Sequence, residues 1–276
     1  MSTTASPNPL SSALPWNWVA DSYVDTAMPL LGLFAEVAIE RAAIRPTTRV
    51  VDVATGPGTV ACRVAAGAAS VDAIDFSSEM VAHCRARAAA LGLHNVTVVQ
   101  GDGQALPYPD ESFDLGFSMF GLMFFPDRPR GFGELWRVLR PGGSALVTSW
   151  ASVEKSPLMQ ARIAAWKAAE PNAPSPQKNV MTLENPVLFA SEMQAAGFVE
   201  VVVKPVFRAR EFRNLDELCE GTTRGNAPFE IVRREIGEAE WRRRVSVMRD
   251  YLGTHYGPFP LRLGSTAYLG QGRKPG

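Results

Sequence analysis

The sequence lacks any excess of one charge sign. Its 276 residues contain 28 Lys and Arg against 28 Asp and Glu, so the formal net charge is zero. Without a cationic excess there is little long-range attraction for nucleic acid or anionic lipid, and we expect no nucleic-acid partner. The sequence also has no run of about 18 apolar residues, and its polar, proline-broken start lacks the layout of a signal peptide. We therefore expect a cytoplasmic protein without a membrane span.

Cysteine and histidine are scarce, with three residues of each type. An odd cysteine count without a C-x-x-C spacing argues against a disulfide framework and against a zinc site. No cluster of His, Cys and carboxylate residues has the spacing of metal ligands. We therefore expect no metal. The cysteines are Cys62, Cys84 and Cys219.

Strand-like and helix-like segments alternate from residue 50 onward, which predicts an α/β domain with helices on both faces of the sheet. A helix is expected over Thr59–Ala69 in the first strand–helix unit. Within a single domain spanning 1–276, we expect an N-terminal helical lid at 1–45, a ligand-binding core at 46–150 and sheet completion at 151–276. A polar helical insertion near 214–260 can cap a pocket or form a homodimer contact. The predicted strands are Val50–Ala54, Val71–Ile74, Val96–Val99, Phe113–Phe117, Ser144–Trp150, Val199–Arg208 and Leu261–Gly270.

The segment VVDVATGPGTVA (Val50–Ala61) indicates a strand, a glycine turn and a helix. Its G-x-G-x-x-A pattern is weak evidence for a dinucleotide site, and a tight turn without a ligand is an alternative. Asp52 would repel a pyrophosphate but suits the ammonium and sulfonium groups of S-adenosylmethionine (SAM). Gly56 and Gly58 allow the methionyl chain to approach the backbone closely. The turn therefore favours SAM over NAD.

A second acid ends the next predicted strand. Asp75 follows Gly58 by 17 positions and is placed to accept both ribose hydroxyls, which would suit NAD equally well. Phe76 and Met80 are candidates to flank the adenine, although Met80 at helical spacing fits a core position as well. Asp75 alone does not separate the two cofactors.

A third acid, Asp102, follows the third strand and precedes Gly103 and Gln104. Its carboxylate can accept from the adenine amino group, while a neighbouring N–H reaches a ring nitrogen. Asp52, Asp75 and Asp102 thus end three successive strands, along the ligand crevice of an open α/β sheet. This alignment is more specific than any single motif.

These segments resemble the class I SAM-dependent methyltransferases, in the branch of ubiquinone/menaquinone-biosynthesis C-methyltransferases and related small-molecule enzymes. The resemblance implies a Rossmann-like sheet of seven strands with Leu261–Gly270 antiparallel near the edge. It also implies that Ser118 lies beside the methionyl ammonium or the methyl group, and it assigns Gly56 and Gly58 to the methionyl part, Asp75 to the ribose, and Asp102 and Gly103 to the adenine. The matching segments are VVDVATGPGTVA, DFSSEM, GDGQALPYPDESFD, FSMFGLMFFPD and ELWRVLRPGGSALVTSW.

The sequence departs from the family pattern at two places. Ala54 stands where the first glycine of acid-x-Gly-x-Gly-x-Gly is usual, and its methyl group should narrow the cofactor pocket. Gly121, Leu122 and Met123 replace the histidines often found after the fourth strand in this branch. An obvious general base is therefore missing.

We expect in-line methyl transfer from SAM to a small-molecule acceptor in biosynthesis, with positioning as the protein's main contribution. The alternatives are an NAD(P)-dependent oxidoreductase and a non-catalytic SAM-binding protein. The catalytic candidates are His255 and Tyr23, with Tyr256 and Asp127 weaker, whereas His83 and His94 suit structural positions. The aromatic candidates for the acceptor pocket are Trp18, Tyr23, Phe120, Phe124, Phe125, Trp150 and Tyr256.

Overall fold

A seven-stranded mixed sheet forms the centre of the computed structural model, which describes residues 8–172 and 183–276. The strands are β1 (Arg49–Val53), β2 (Ser70–Asp75), β3 (Val96–Gln100), β4 (Phe113–Met119), β5 (Leu139–Trp150), β6 (Val199–Phe212) and β7 (Leu261–Arg273). Their order is β3-β2-β1-β4-β5-β7-β6. β1 to β5 pair in parallel, and β7 is antiparallel to both β5 and β6. The predicted α/β fold with an antiparallel last strand is confirmed.

Helices cover both faces of this sheet. Ala27 separates α1 from α2, and Pro29 lies in the first turn of α2, where a missing N–H costs no helical hydrogen bond. Among the described residues no single helix is long and apolar enough to cross a membrane; α1 and α2 reach that length only together, with a 78° bend between them. The helices are α1 (Leu14–Thr26), α2 (Met28–Arg41), α3 (Ala61–Val64), α4 (Ser78–Ala90), α5 (Arg128–Val138), α6 (Pro157–Ala169), α7 (Pro186–Ala195), α8 (Leu215–Thr223), α9 (Ala227–Ile236) and α10 (Glu238–His255).

The helix after the glycine turn is shorter than the predicted Thr59–Ala69. It consists of the single turn α3 and a 3₁₀ turn at Ala65–Gly67. Ala69 N already donates to Thr48 O at 2.8 Å, because the chain enters β2 at the next residue. The predicted helix was therefore too long, because its pattern of small residues does not show where β2 begins.

The central strands of the sheet are buried on both faces, as expected when helices cover a parallel sheet. Adjacent β1 residues show this: Val50 packs with Phe117 in one apolar cluster, and Val51 packs with Leu135 in the other. All four side chains are at most 2% exposed. The two apolar layers hold the strand ends in fixed positions, which is what a site at those ends requires.

The predicted insertion near 214–260 folds as α8, α9 and α10. Thr26, at the end of α1, connects the N-terminal segment to this insertion by donating its hydroxyl to Arg224 O at 3.1 Å. The opposite end of α1 contacts the β2–α4 connection, where Ser77 Oγ donates to Asn17 Oδ1 at 2.6 Å. α1 therefore spans from the carboxyl end of β2 to the insertion.

Candidate cofactor and acceptor site

The turn after β1 is held from beneath by Asp52. Its side chain is 1% exposed, and Oδ2 accepts from Thr55 Oγ1 at 2.6 Å and from Ala61 N at 3.1 Å. Burial disfavours the charged carboxylate and raises the Asp52 pKa to about 7. Asp52 also lines a small cavity beside Gly56. It therefore supports the turn and lies beside the space where a ligand could contact the turn.

The two glycines of this turn have different surroundings. Both have positive φ, +56° at Gly56 and +78° at Gly58. A Cβ at Gly56 would meet nothing within 4 Å, whereas one at Gly58 would lie 2.7 Å from Cys84 Sγ and 2.9 Å from Cys62 Sγ. Gly56 thus leaves its open side to a ligand, while Gly58 is required by packing against the two sulfurs.

Asp75 ends β2 and is 5% exposed. Its Oδ2 accepts from Gly56 N at 2.8 Å, and its Oδ1 accepts from Ser77 N at 2.9 Å. Burial raises the Asp75 pKa to about 6, against the lowering effect of these hydrogen bonds. Backbone amides, that of Phe76 included, use part of the acceptor capacity of this carboxylate, and the remainder is available to a hydroxyl donor.

Asp102 lies after β3 and lines, together with Asp75, a pocket at the carboxyl ends of the strands. Its Oδ1 accepts from Gln104 N at 2.8 Å and from Gln104 Nε2 at 3.1 Å. Gly103 is closely covered, because a Cβ there would lie 2.5 Å from Phe125 Cζ. The ring of Phe125 can therefore lie this close to the backbone only because residue 103 has no side chain.

The pocket between these acids is largely apolar. Ala54, Phe76 and Met80 line it together with Asp75 and Asp102, and Met80 is only 2% exposed. Trp16 also lines it, and sequence analysis did not identify that residue. Its indole Nε1 donates to Leu10 O at 2.9 Å, and its ring lies 5.1 Å from that of Phe124. An aromatic residue near the chain start carries no sequence signal for this contact, which depends on the long-range placement of α1.

A second and larger cavity, of about 1010 Å³, adjoins this pocket. Tyr23 and Phe120 line both, so the two spaces meet at these rings. The wall of the larger cavity is mostly apolar and draws on α1, α2, α6, α8 and the end of β5. Of the predicted aromatic residues, Tyr23, Phe120, Phe124 and Trp150 line it.

Phe120 has an unusual backbone at this junction. Its φ is +60°, a conformation that non-glycine residues rarely adopt. Its N–H is held by Thr148, with Oγ1 at 3.0 Å and the carbonyl oxygen at 3.3 Å. Its ring lies 4.2 Å from that of Trp150. Such conformations persist where surrounding contacts enforce them, and they concentrate at functional sites.

Tyr23 is at the junction, but its phenol is unsuited to act as a base. Burial and the nearby charge of Asp75 both raise its pKa. The neutral hydroxyl is therefore strongly favoured at physiological pH, and the group can donate a hydrogen bond but does not accept a proton readily. Tyr23 remains a predicted active-site residue, with the role of a donor.

Ser118 does not reach the pocket. Its side chain is fully buried, and its Oγ accepts from Leu122 N at 3.3 Å. The neighbouring Met119, the last residue of β4, lines the pocket instead, because successive strand residues point to opposite faces. The family resemblance therefore gives the correct strand end but the wrong face for Ser118.

His255 lies away from both spaces. It is exposed at the last residue of α10, with Nδ1 2.9 Å from Tyr251 O and its ring stacked on Tyr251 at 4.0 Å. Tyr256 follows it and likewise lines none of the three cavities described above. The insertion reaches the larger cavity through α8 and the start of α9, so its end near His255 cannot supply the catalytic group expected there.

The candidates Asp127 and Trp18 have structural contacts, as does His83, for which a structural position was expected. Asp127 caps α5 by accepting from Arg130 N at 3.1 Å. Trp18 lies under the guanidinium of Arg234, 4.1 Å from the ring centre. His83 Nε2 lies 2.8 Å from Asp21 Oδ1 and links α4 to α1. None of the three lines the two spaces that the described residues enclose.

Comparisons with known proteins agree with this geometry. A family of methyltransferase domains matches residues 50–143. An uncharacterized protein of Mycobacterium tuberculosis is 36% identical over 133 residues, 48% of each chain. The demethylmenaquinone methyltransferase of Thermus thermophilus is 39% identical over 112 residues, 40% of this chain and 50% of the relative. The match thus spans about half the length of these curated relatives.

Solved structures extend the similarity over most of the fold. The YcgJ protein of Bacillus subtilis superposes with a TM-score of 0.59 at 19% identity, covering 88% of this chain and 98% of that chain. A phosphoethanolamine N-methyltransferase of Haemonchus contortus, solved with S-adenosylhomocysteine, has a TM-score of 0.55 at 18% identity, covering 88% of this chain and 52% of that one. The chain thus shares the Rossmann-like fold of these solved structures, and its residues 50–143 match a methyltransferase domain.

Proposed function

We propose that the protein transfers a methyl group from SAM to a small-molecule acceptor. The observation that carries this proposal is the junction at Tyr23 and Phe120, where a pocket lined by Asp75 and Asp102 meets a mostly apolar cavity of about 1010 Å³. A volume of this order suits a small organic molecule. In this proposal the pocket holds the methyl donor, the larger cavity holds the acceptor, and the methyl group is transferred at the junction.

The residues of the pocket fit SAM by their chemistry. Asp75 supplies carboxylate oxygens for the ribose hydroxyls, and Asp102 supplies acceptors for the adenine amino group. Gly56, with open space beside it, allows the methionyl chain to approach. Asp52 and Asp75 are nearly buried acids with raised pKa values, so a bound cation would favour their ionised forms. A pyrophosphate would have the opposite effect.

When bound, SAM supplies a methyl group already activated by its sulfonium. The chain's own contribution is then alignment and exclusion of water, which can account for a large part of a rate enhancement. Trp16, Tyr23 and Phe120 surround the junction with aromatic surface. The neutral Tyr23 hydroxyl can donate a hydrogen bond to the acceptor and orient it. An acceptor that reacts as an amine, thiolate or activated carbon needs no stronger base at this point.

The test combines binding with turnover. Thermal unfolding is measured with SAM, S-adenosylhomocysteine and NAD, and the protein is then incubated with methyl-labelled SAM and fractionated metabolites. We expect stabilisation by the two adenosyl ligands and label in a small-molecule fraction. Stabilisation by NAD alone would favour an oxidoreductase, and SAM binding without transfer to any fraction would favour a non-catalytic SAM-binding protein.

A further inference from the structure

The larger cavity has a cationic corner formed by Arg162 of α6 and Arg210 of β6. Arg162 Nη2 donates to Gly221 O at 3.2 Å. Arg210 Nη1 lies 3.7 Å from the position a Cβ at Gly221 would take, and it donates to Thr26 O at 3.0 Å. Both arginines line the cavity. Both guanidinium groups therefore lie near Gly221, within the cavity wall.

Arg162 has no acidic partner among residues 8–172 and 183–276. Its Nε is buried and makes no hydrogen bond. Burial alone lowers its pKa to about 10, since no neighbouring carboxylate offsets the effect. A buried guanidinium without a counter-charge is costly unless an anion pairs with it. The side chain nevertheless retains access to the cavity, so an anion in that space can reach it.

The other charged groups of the wall do not neutralise this corner. Glu154 and Glu184 line the same cavity, but neither contributes to the pKa shift of Arg162 or of Arg210. Arg210 is influenced by Glu217, which itself pairs with Arg213. The corner thus keeps a net positive charge, while the wall toward the junction is apolar.

We infer that the methyl acceptor carries an oxyanion head group, a carboxylate or a phosphate monoester, that binds Arg162 beside Arg210, with its apolar body extending toward Phe120. This inference rests on the proposed function and narrows it to amphipathic anionic acceptors. A planar guanidinium with several N–H donors recognises both head groups. Arg162 is accordingly a binding residue that sets the substrate class.

The experiment measures binding of matched probes to the full chain saturated with S-adenosylhomocysteine. The probes are straight-chain and phenyl-substituted alkanoic acids of eight to fourteen carbons, their primary amides, and alkyl phosphates of the same lengths. We expect acids or phosphates to bind at least about 10-fold more tightly than the amides, since hydrogen bonds to charged groups are worth roughly 1.5–3 kcal/mol. The acid and phosphate arms identify which head group is preferred.

Arg162→Met should lower the affinity for the preferred anion by about 10- to 100-fold and leave that for the amide unchanged. Arg162→Lys should give an intermediate loss, because it keeps the charge without the fork of donors. Arg243→Met, on the exposed face of α10, is the matched control and should change nothing.

Affinity for S-adenosylhomocysteine, measured on every variant, shows whether the cofactor pocket is intact. If wild-type protein fails to bind it, the proposed function fails. If it binds normally but amides bind as well as the anions, no anion binds, or Arg162→Met keeps full affinity for the anion, the inference about the acceptor is overturned while the methyltransferase proposal stands.

Discussion

The methyl group of Ala54 occupies the space beside Gly121 that a Cβ at Gly121 would need. Ala54 has φ +58°, in the left-handed region that favours glycine. The usual family glycine at position 54 is thus replaced by alanine opposite a residue without a side chain. The methyl group also lines the cofactor pocket. Side chains at positions 54 and 121 therefore compete for the same space.

Gly121→Ala should therefore destabilise the protein by about 1–3 kcal/mol through overpacking. In an Ala54→Gly background the same change should cost less, by at least about 0.5 kcal/mol, because the competing methyl group is gone. Urea unfolding of wild type, both single variants and the double variant measures the coupling. Strictly additive free energies would contradict the contact.

Asp75→Ala should weaken SAM binding by about 10- to 150-fold, the effect of about 1.5–3 kcal/mol for hydrogen bonds to a charged acceptor. The expected loss of SAM affinity includes the effect of removing the hydrogen bond from Gly56 N to Asp75. Asp110→Ala is the control, since Asp110 is 74% exposed and pairs with Arg137. Calorimetric titration measures both. An unchanged dissociation constant for Asp75→Ala would remove Asp75 from the site.

The raised pKa of Asp52 predicts how stability depends on pH. Below about pH 4 the Asp52 carboxyl is protonated in both the folded and the unfolded protein, and above pH 7 it is ionised in both. Its ionised form is less stable in the folded protein because it is buried there. Between these limits the folded state binds more protons, so this contribution to stability falls as pH rises. Asp52→Asn removes the ionisation and should gain stability relative to wild type across this window.

The comparison uses chemical unfolding of the SAM-free protein at pH 4.5, 5.5, 6.5 and 7.5. Asp114→Asn is the control, because Asp114 is partly exposed and pairs with Arg140. A difference between Asp52→Asn and wild type that stays constant, or that narrows as pH rises, would show that the Asp52 carboxylate is not destabilised by burial.

The strand ends could be predicted from the sequence because they depend on short-range pattern. β1, β2 and β3 are neighbours in parallel register, so acids at their carboxyl ends had to share one edge of the sheet. The direction of the Ser118 side chain depends on its position in the alternation of β4, and a shift of one residue would reverse it. The position of His255 depends on where α10 ends, which no sequence motif determines.

The rest of the site depends on long-range packing. Trp16 is brought to the cofactor pocket by α1 lying across the strand ends, and Arg162 approaches Gly221 only because α6 packs against β7 and α8. Neither pair of segments has a local sequence signal for its partner. The shortened helix after the glycine turn has the same origin, since the entry into β2 limits its length.

Tyr23→Phe should lower kcat by about 10- to 100-fold if the hydroxyl orients the acceptor, an effect of roughly 1.5–3 kcal/mol. The pH profile of kcat below pH 9 should keep its shape, because the raised pKa of Tyr23 places its titration above that range. His255→Ala should leave kcat and KM unchanged. If the pH profile of kcat for the wild type changes near neutral pH and that change is absent in Tyr23→Phe, the phenol acts as a base.

The central claim is that nearly buried carboxylates bind a cationic nucleoside, and proton release tests it most directly. SAM is titrated into the protein at pH 6 in two buffers of different ionisation enthalpy. Because the Asp52 and Asp75 pKa values are about 7 and 6 without ligand, a bound cation should drive protons off both groups. We predict saturable binding with net proton release that falls in Asp52→Asn. Absence of SAM binding, or binding with no release or with proton uptake, would contradict the account.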